Sequence, residues 1–467
     1  MAIVNNLRAP IDRKTWEFMT PAEVTTAAGM FVIQGDEVKR IAMLVASATV
    51  QYLYYADQDA WQQIATVTLG GTFGAGSCGD YTPFGPTGTA TAGSTTSMTT
   101  NLTIPRSLAG YKIRITAGSG AGQEPTITRN TTGANAVFTF DALGVALDNT
   151  SVYVIMSGRF YVYNAGTASA TSFQYYDFAT NSWAARSVTS APATWGTDGR
   201  MVILKGVTIV TGTATAGGAS TLTNGAKSWT GSQWINYQVR ITAGTGAGQV
   251  RTISANTGTV LTVSAAWTIV PDATSVYAIE TNADHAYLMG NNAVTLYRYS
   301  LSGNSWSTLA PGAARAAAPG LGASLSMIES QTHALWTDES AIINGRRFYS
   351  FRGGAGAVLD YYDVAANTWT SGVVYGGSQE TFTTGTMCCD LGGYIYIQKE
   401  SASVAARFFR YSPSDNELIP WSKLIYSMGA PLLGNRMFGL SYTDTATLRY
   451  VYLLRHTGTE LFRCLVI

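Results

Sequence analysis

Side chains able to do chemistry are sparse in this 467-residue chain. Three histidines, His285, His333 and His456, stand far apart, and none belongs to an HxH or HExxH cluster of the kind that grips zinc or copper. His285 follows Asp284, yet no GxSxG elbow is present to offer a serine to such a pair. The four cysteines, Cys78, Cys388, Cys389 and Cys464, lack CxxC spacing and are too few for a disulfide framework. Adjacent Cys388 and Cys389 would point to opposite faces of a strand. Asp57 with Asp59, and Asp12 with Arg13, sit in loops without the dense oxygen spacing of a calcium loop. These patterns predict no catalytic residue, no metal site and no cofactor.

One motif does invite a ligand. The chain reads YKIRITAGSGAGQEPTI from Tyr111 to Ile127 and YQVRITAGTGAGQVRTI from Tyr237 to Ile253. Gly118, Gly120 and Gly122 superficially suggest a phosphate-cradling loop. A dinucleotide fingerprint needs a helix after the glycines, and a P-loop needs a Gly-Lys-Ser/Thr ending; neither is here. Both copies run on into another strand, a turn and a further strand, so the glycines read as hairpin turns that require positive φ.

The elements around these residues are strands. Tyr, Trp, Val and Thr are abundant, only 12% of residues are charged, and few segments look like capped amphipathic helices, which predicts an all-β protein. With 29 Lys+Arg against 28 Asp+Glu there is no basic excess for nucleic acid or an anionic membrane. The beginning, MAIVNNLRAPIDRKTWEF, has no signal-peptide core, and no run of about 20 apolar residues occurs, so synthesis in a cytoplasm without membrane insertion is expected.

An aromatic hairpin recurs: YLYYADQDAW ending at Trp61, FQYYDFATNSW at Trp183, LYRYSLSGNSW at Trp306, LDYYDVAANTW at Trp369 and FFRYSPSDNELIPW at Trp421. Upstream of several copies lie two more strand-like runs, such as GMFVIQ and RIAMLVAS, giving four antiparallel strands per repeat, the content of a propeller blade. Successive tryptophans are 122, 123, 63 and 52 residues apart. Both long intervals contain a 69-residue duplicated unit, Thr87 to Ile155 and Thr211 to Ile279, whose removal leaves 53 and 54. The units are predicted to enter between the first and second strands of blades two and three, after the GTFGAG run and after RMVILKG, and to project side by side.

After Trp421 only three strands remain, RMFGLSYT, RYVYLLRH and ELFRCLVI, while the tryptophan-led stretch around Trp16 has no strands before it. The N-terminal strand is therefore expected to complete the last sheet and remove its free edge. The pattern resembles kelch repeats; Gly353-Gly354 follows RRFYSFR as a kelch diglycine does, whereas Gly70-Gly71, Gly376-Gly377 and Gly392-Gly393 fall elsewhere. The expected fold is an all-β, six-bladed kelch-like propeller with two inserted small β-modules, ring closed by the N-terminal strand. Its expected division is 1-86 propeller, 87-155 module 1, 156-210 propeller, 211-279 module 2 and 280-467 propeller.

The inserted unit, with its GTATAG opening, ITAGTGAGQ phrase and SVYAI ending, resembles a small β-unit that recurs in bacteriophage virion proteins, tail components among them. The resemblance covers about 138 residues in two copies; the first has no tryptophan at the SWTGSQW and AAW positions and has Pro125 where the second has Arg251. It implies a non-enzymatic structural component of a virion, in the tail, collar or fibre-attachment region, present in several copies among other virion proteins. Low charge and small polar residues suit a chain buried in an assembly. The alternative is a propeller that binds host surface glycan; Trp229, Trp234 and Trp267 of the second unit are the candidate surface contacts, with local core the favoured reading even there. A glycan-cleaving enzyme is the third reading, but turns such as SGNSW lack the aspartate and glycine of the sialidase Asp-box, and Arg346, Arg347, Arg352, Arg407 and Arg410 form no pattern that groups them.

Overall fold

The computed structural model describes residues 16–23, 30–36, 38–64, 67, 70, 76–164, 172–192, 199–289, 294–316, 324–328, 347–352, 358–364, 366–378, 380–382, 386–399, 407–423, 437–442, 448–455 and 459–466. Among them there is no helix. Outside the inserts the strands form successive antiparallel sheets. Sheet one is Phe31–Ile33, Ile41–Val45, Gln51–Tyr55 and Ala60–Gln63; sheet two is Cys78–Thr82, Arg159–Tyr163, Phe173–Asp177 and Ser182–Ala185; sheet three is Arg200–Ile203, His285–Met289, Leu296–Ser300 and Ser305–Thr308. Sheet four is Ser324–Ile328, Arg347–Phe351, Val358–Asp363 and Thr368–Val374, and sheet five Met387–Leu391, Tyr394–Lys399, Arg407–Ser412 and Glu417–Lys423, extended by a short parallel pairing of Gly376–Gly377. Sheet six is Met437–Tyr442, Leu448–Leu454 and Leu461–Leu465, with Trp16–Met19 as its fourth strand.

That fourth strand lies where the sequence places it. Trp16 is opposite Cys464 and Phe18 opposite Phe462. Arg463 donates to Glu17 at 2.9 Å, and Trp16 is buried edge-on to Phe408 of sheet five. The first strands of sheets one and two lie side by side, as do those of two and three, three and four, four and five, five and six, and six and one. Gln34, just after the first strand of sheet one, donates to the Asp390 carbonyl and accepts from Gly439 N–H, tying sheets one, five and six together. The first strand of sheet two is Cys78–Thr82, with Cys78 and Tyr81 buried; the GTFGAG run that precedes it lies, apart from Gly76, outside the described residues.

The recurring hairpin has a physical cause. In sheets one to five a tyrosine hydroxyl donates to an Asp or Asn five residues on: Tyr54 to Asp59 (2.8 Å), Tyr176 to Asn181 (2.6 Å), Tyr299 to Asn304 (2.5 Å), Tyr362 to Asn367 (2.7 Å) and Tyr411 to Asn416 (2.9 Å). Each acceptor sits at φ between 46° and 53°, a left-handed conformation that Asn and Asp tolerate better than other side chains. In the first four sheets the tryptophan two residues later packs on the same tyrosine ring, at 4.9 to 5.4 Å between centroids. The turn residue also reaches the chain leaving the preceding sheet. Ser187 N–H donates to Asn304, Asn367 donates to the Ala310 carbonyl and Asn416 to the Val374 carbonyl. In sheet one Asp59 accepts from the N–H of Thr20, directly after the N-terminal strand, so that strand stands to sheet one as the fourth strands of sheets two, three and four stand to sheets three, four and five.

Each insert joins the first and second strands of its sheet, and the ends of each insert are bonded to one another. Gly85 N–H donates to the Ile155 carbonyl in the first; in the second Thr281 N–H donates to the Val207 carbonyl and Val207 N–H donates to the Thr281 hydroxyl. The second insert is a seven-stranded sheet in the order Thr208–Thr213, Val276–Glu280, Gln238–Ala243, Val250–Asn256, Val260–Val263, Thr221–Thr223 and Ala216–Gly218. The first follows the same path as a three-stranded and a four-stranded sheet joined by a Lys112–Thr126 bridge. Their cores differ. Ile104, Leu108, Ile113 and Phe138 of the first insert are continuous with Phe31, Met43 and Phe160 of sheets one and two, whereas Leu222, Trp234, Ile241 and Tyr277 belong to a core of the second insert alone.

Candidate interaction site between the inserts

Most residues with chemical potential are occupied structurally. His285 begins the second strand of sheet three, and burial, with the neighbouring Arg298 charge, lowers its pKa to about 4 against the opposing pull of Asp284. All four cysteines are buried thiols; burial pushes Cys78 up to about 12 and Cys389 well above its ordinary range. Asp57 pairs with Arg40 at 2.7 Å, and Asp59 is the turn acceptor already described. Arg347 lies near Asp363, Arg410 lies over Tyr394 and Trp421, and Arg352 shares Asp360 with buried Arg315, so these arginines are distributed among sheets four and five rather than gathered at one place. Burial raises the Asp360 pKa, but the two arginines and the Gly372 N–H outweigh it and hold the carboxyl below its usual range. Among the described residues no three His, Cys, Asp or Glu side chains gather as a metal site. His333, His456, Arg346, Asp12, Arg13 and Gly353-Gly354 lie outside the described residues.

Trp229, Trp234 and Trp267, the candidate surface contacts, are buried in the core of the second insert. Backbone bonds give their equivalents in the first. Trp229 N–H bonds to Gly258 as Ile104 bonds to Gly133; Trp234 N–H bonds to Asn256 as Leu108 bonds to Asn130; Trp267 N–H bonds to Ala219 as Leu143 bonds to Thr95. Aliphatic side chains suffice where the first insert leans on sheets one and two. The second insert, whose core is its own, fills that interior with larger rings.

The duplicated phrase is a hairpin turn in both copies, with Gly118, Gly120, Gly122, Gly244, Gly246 and Gly248 all at φ between 73° and 89°. The turns also meet each other. A Cβ on Gly122 would lie 2.7 Å from the Thr242 carbonyl and 2.9 Å from Ala247; a Cβ on Gly248 would lie 2.6 Å from the Thr116 carbonyl and 3.0 Å from Ala121. Thr116 and Ala121 in one copy correspond to Thr242 and Ala247 in the other, so the contact is reciprocal, like an interface about a local two-fold axis.

A ring of alternating charges extends the contact. Arg114 pairs with Glu124 (2.5 Å), Glu124 with Arg240 (3.0 Å), Arg240 with Glu280 (2.7 Å), and Glu280 lies 3.6 Å from Arg114. The two arginines are equivalent residues, but the carboxylates are not: Val250 stands where the first copy has Glu124, and Met156 where the second has Glu280. The ring is thus complete only when the two different copies meet. Such partly buried, hydrogen-bonded charges favour register and partner choice more than raw stability. The first insert is further anchored through Tyr111, which donates to buried Asp36 of sheet one at 2.5 Å, and through Arg106, which donates to Tyr176 and Asn181 of sheet two.

No family model matches the chain, and no curated protein matches it. Among solved structures, a luciferin-regenerating enzyme is similar over 96% of this chain and 94% of its own, with 10% identity and a TM-score of 0.35. A mitotic checkpoint complex structure is similar over 100% and 99%, with 9% identity and a TM-score of 0.34.

Proposed function

We propose that the six sheets form a kelch-like propeller of six blades, closed by the N-terminal strand and carrying modules at 87–155 and 211–279, and that the protein is a non-enzymatic structural component of a bacteriophage virion. In this reading it acts as an assembly scaffold in the tail, collar or fibre-attachment region, in contact with other virion proteins and present in several copies. The likeness of the duplicated unit to phage virion modules motivates the assignment. The observation that carries the scaffold role is the reciprocal contact between the two Gly-rich turns: the one motif that invites a small ligand is spent on holding two modules together as a rigid projection. Completion of the last sheet by the N-terminal strand supports the same role, since a ring that joins its two chain ends in one sheet and leaves only short edges is a stable base for such a projection. Locating the chain in a purified particle by cryo-EM tests the proposal; absence from the particle refutes it. A glycan array with the full chain tests the alternative, and specific binding there would move the assignment to host recognition.

A further inference from the structure

The inserts share a second duplicated feature beside the contact between them. Val145-Ala146-Leu147-Asp148 and Ile269-Val270-Pro271-Asp272 occupy equivalent loops, and Val145, Ile269 and Val270 are 55%, 55% and 44% exposed. Isolated exposed valines are ordinary surface. These are held in place. The glutamine that ends each Gly-rich phrase clamps its loop: Gln123 accepts from Val145 N–H and donates to its carbonyl (3.1 and 2.9 Å), and Gln249 does the same for Ile269 (3.1 and 2.8 Å). On the other flank Asp148 accepts from Ser119 and Thr150, and Asp272 from Thr245 and Thr274. Beneath the loops Leu147 lies against Gly93 and Pro271 against Gly217, positions where a side chain would collide. An apolar tip immobilised by the same clamps in both copies has already lost the freedom that binding would otherwise remove.

We infer that the two tips together form a docking surface for a different protein, each tip entering an apolar socket rimmed by lysine or arginine. The charge argues for that occupant. Asp148 and Asp272 stand three residues beyond Val145 and Ile269, and their hydroxyl partners favour the ionised carboxylate. Tip-to-tip packing of two copies of this chain would set like charges against one another, whereas a basic rim complements them. The surface is continuous with the contact between the inserts, because Gly120 and Gly122 of one short turn face the chain's own tip and the other insert respectively. That contact is reciprocal, so a partner with two equivalent sockets engages both tips of one chain, and the second engagement is strengthened by the first.

The test places a photo-crosslinking residue at Val145, at Ile269 and, as a control, at Val374, which is exposed on the last strand of sheet four. The full chain is made in cells that also produce its neighbouring proteins. Expected are cross-links from both tips to one other protein, at apolar segments bearing lysine or arginine, and none to it from position 374. The variant carrying both Val145→Asp and Ile269→Asp should lose at least tenfold in recovery of that protein while melting as the parent does. No cross-link from the tips, different proteins at the two tips, or links to a second copy of this chain alone would overturn the inference. The virion reading is judged separately: a chain missing from purified particles whose tips still mark one shared partner discards the virion and keeps the docking surface.

Discussion

Replacing Gly248 by alanine tests whether the duplicated phrase exists to join the inserts. At φ 89° the new side chain suffers left-handed strain of about 1–2 kcal/mol. Its Cβ would also lie 2.6 Å from the Thr116 carbonyl and 3.0 Å from Ala121, and neither is a flexible chain end able to swing away. Prying the inserts apart should add about 1–3 kcal/mol, the usual range for overpacking. Gly133→Ala is the matched control: its φ is 101°, yet nothing lies within 4 Å of the added methyl, so only the strain is paid. Urea titration followed by circular dichroism should therefore rank Gly248→Ala below Gly133→Ala by a clear margin in midpoint. Gly122→Ala should behave like Gly248→Ala, and the double variant should cost less than the two singles together, because one methyl already opens the shared contact. Equal midpoints for Gly248→Ala and Gly133→Ala would refute the interlocked arrangement.

Asn367→Ala should cost about 1–3 kcal/mol by leaving the buried Tyr362 hydroxyl without its acceptor, plus backbone strain, while Asn367→Gly keeps the φ and isolates the hydrogen bond; chemical denaturation of both, with Tyr362→Phe, reads the coupling. Deleting residues 1 to 20 should expose the Leu461–Leu465 edge and give a chain that aggregates or melts at markedly lower temperature, and an unchanged melting profile would rule out closure by Trp16–Met19. Trp16→Ala alone should cost about 3–5 kcal/mol in thermal unfolding, the usual loss for a buried tryptophan. His285 is held neutral with its pKa lowered to about 4 against an ordinary value of 6.5, so its contribution to stability is full above pH 6.5 and lost as pH falls toward 4. Melting temperature should drop through that window, and His285→Gln should remove this part of the slope.

Strand content and the order of sheets were legible because each aromatic hairpin carries its own turn chemistry and its own tryptophan, which survive as a local signal at any distance from the next copy. The N-terminal strand was legible for the same reason, since Trp16 follows a polar turn as the other tryptophans do. The constant offset from tyrosine to Asn or Asp was also visible, though its meaning was not: that a left-handed turn residue both accepts from the tyrosine and grips the preceding sheet requires coordinates. The sequence left Trp229, Trp234 and Trp267 between surface contact and a favoured local core; they lie in the core, and their absence from the first copy reflects which copy shares a core with its neighbours. The charge ring was illegible. Arg114 and Arg240 repeat, but Glu124 and Glu280 do not, and no periodicity relates residues that meet only across two separately folded units.

The pinched necks of the inserts have a consequence for how such a chain changes over generations. Where the incoming and outgoing segments are already bonded to each other, as at Val207 and Thr281, the register of the host hairpin depends on two adjacent attachment points rather than on the length of chain between them. Any unit whose ends lie equally close can be exchanged at that doorway without re-registering the strands on either side. Each insert has since added ties beyond that doorway: the first buries Tyr111 against Asp36, and the second is locked to the first and reaches from Asn236 to the Val364 carbonyl, so each can be exchanged only together with those contacts.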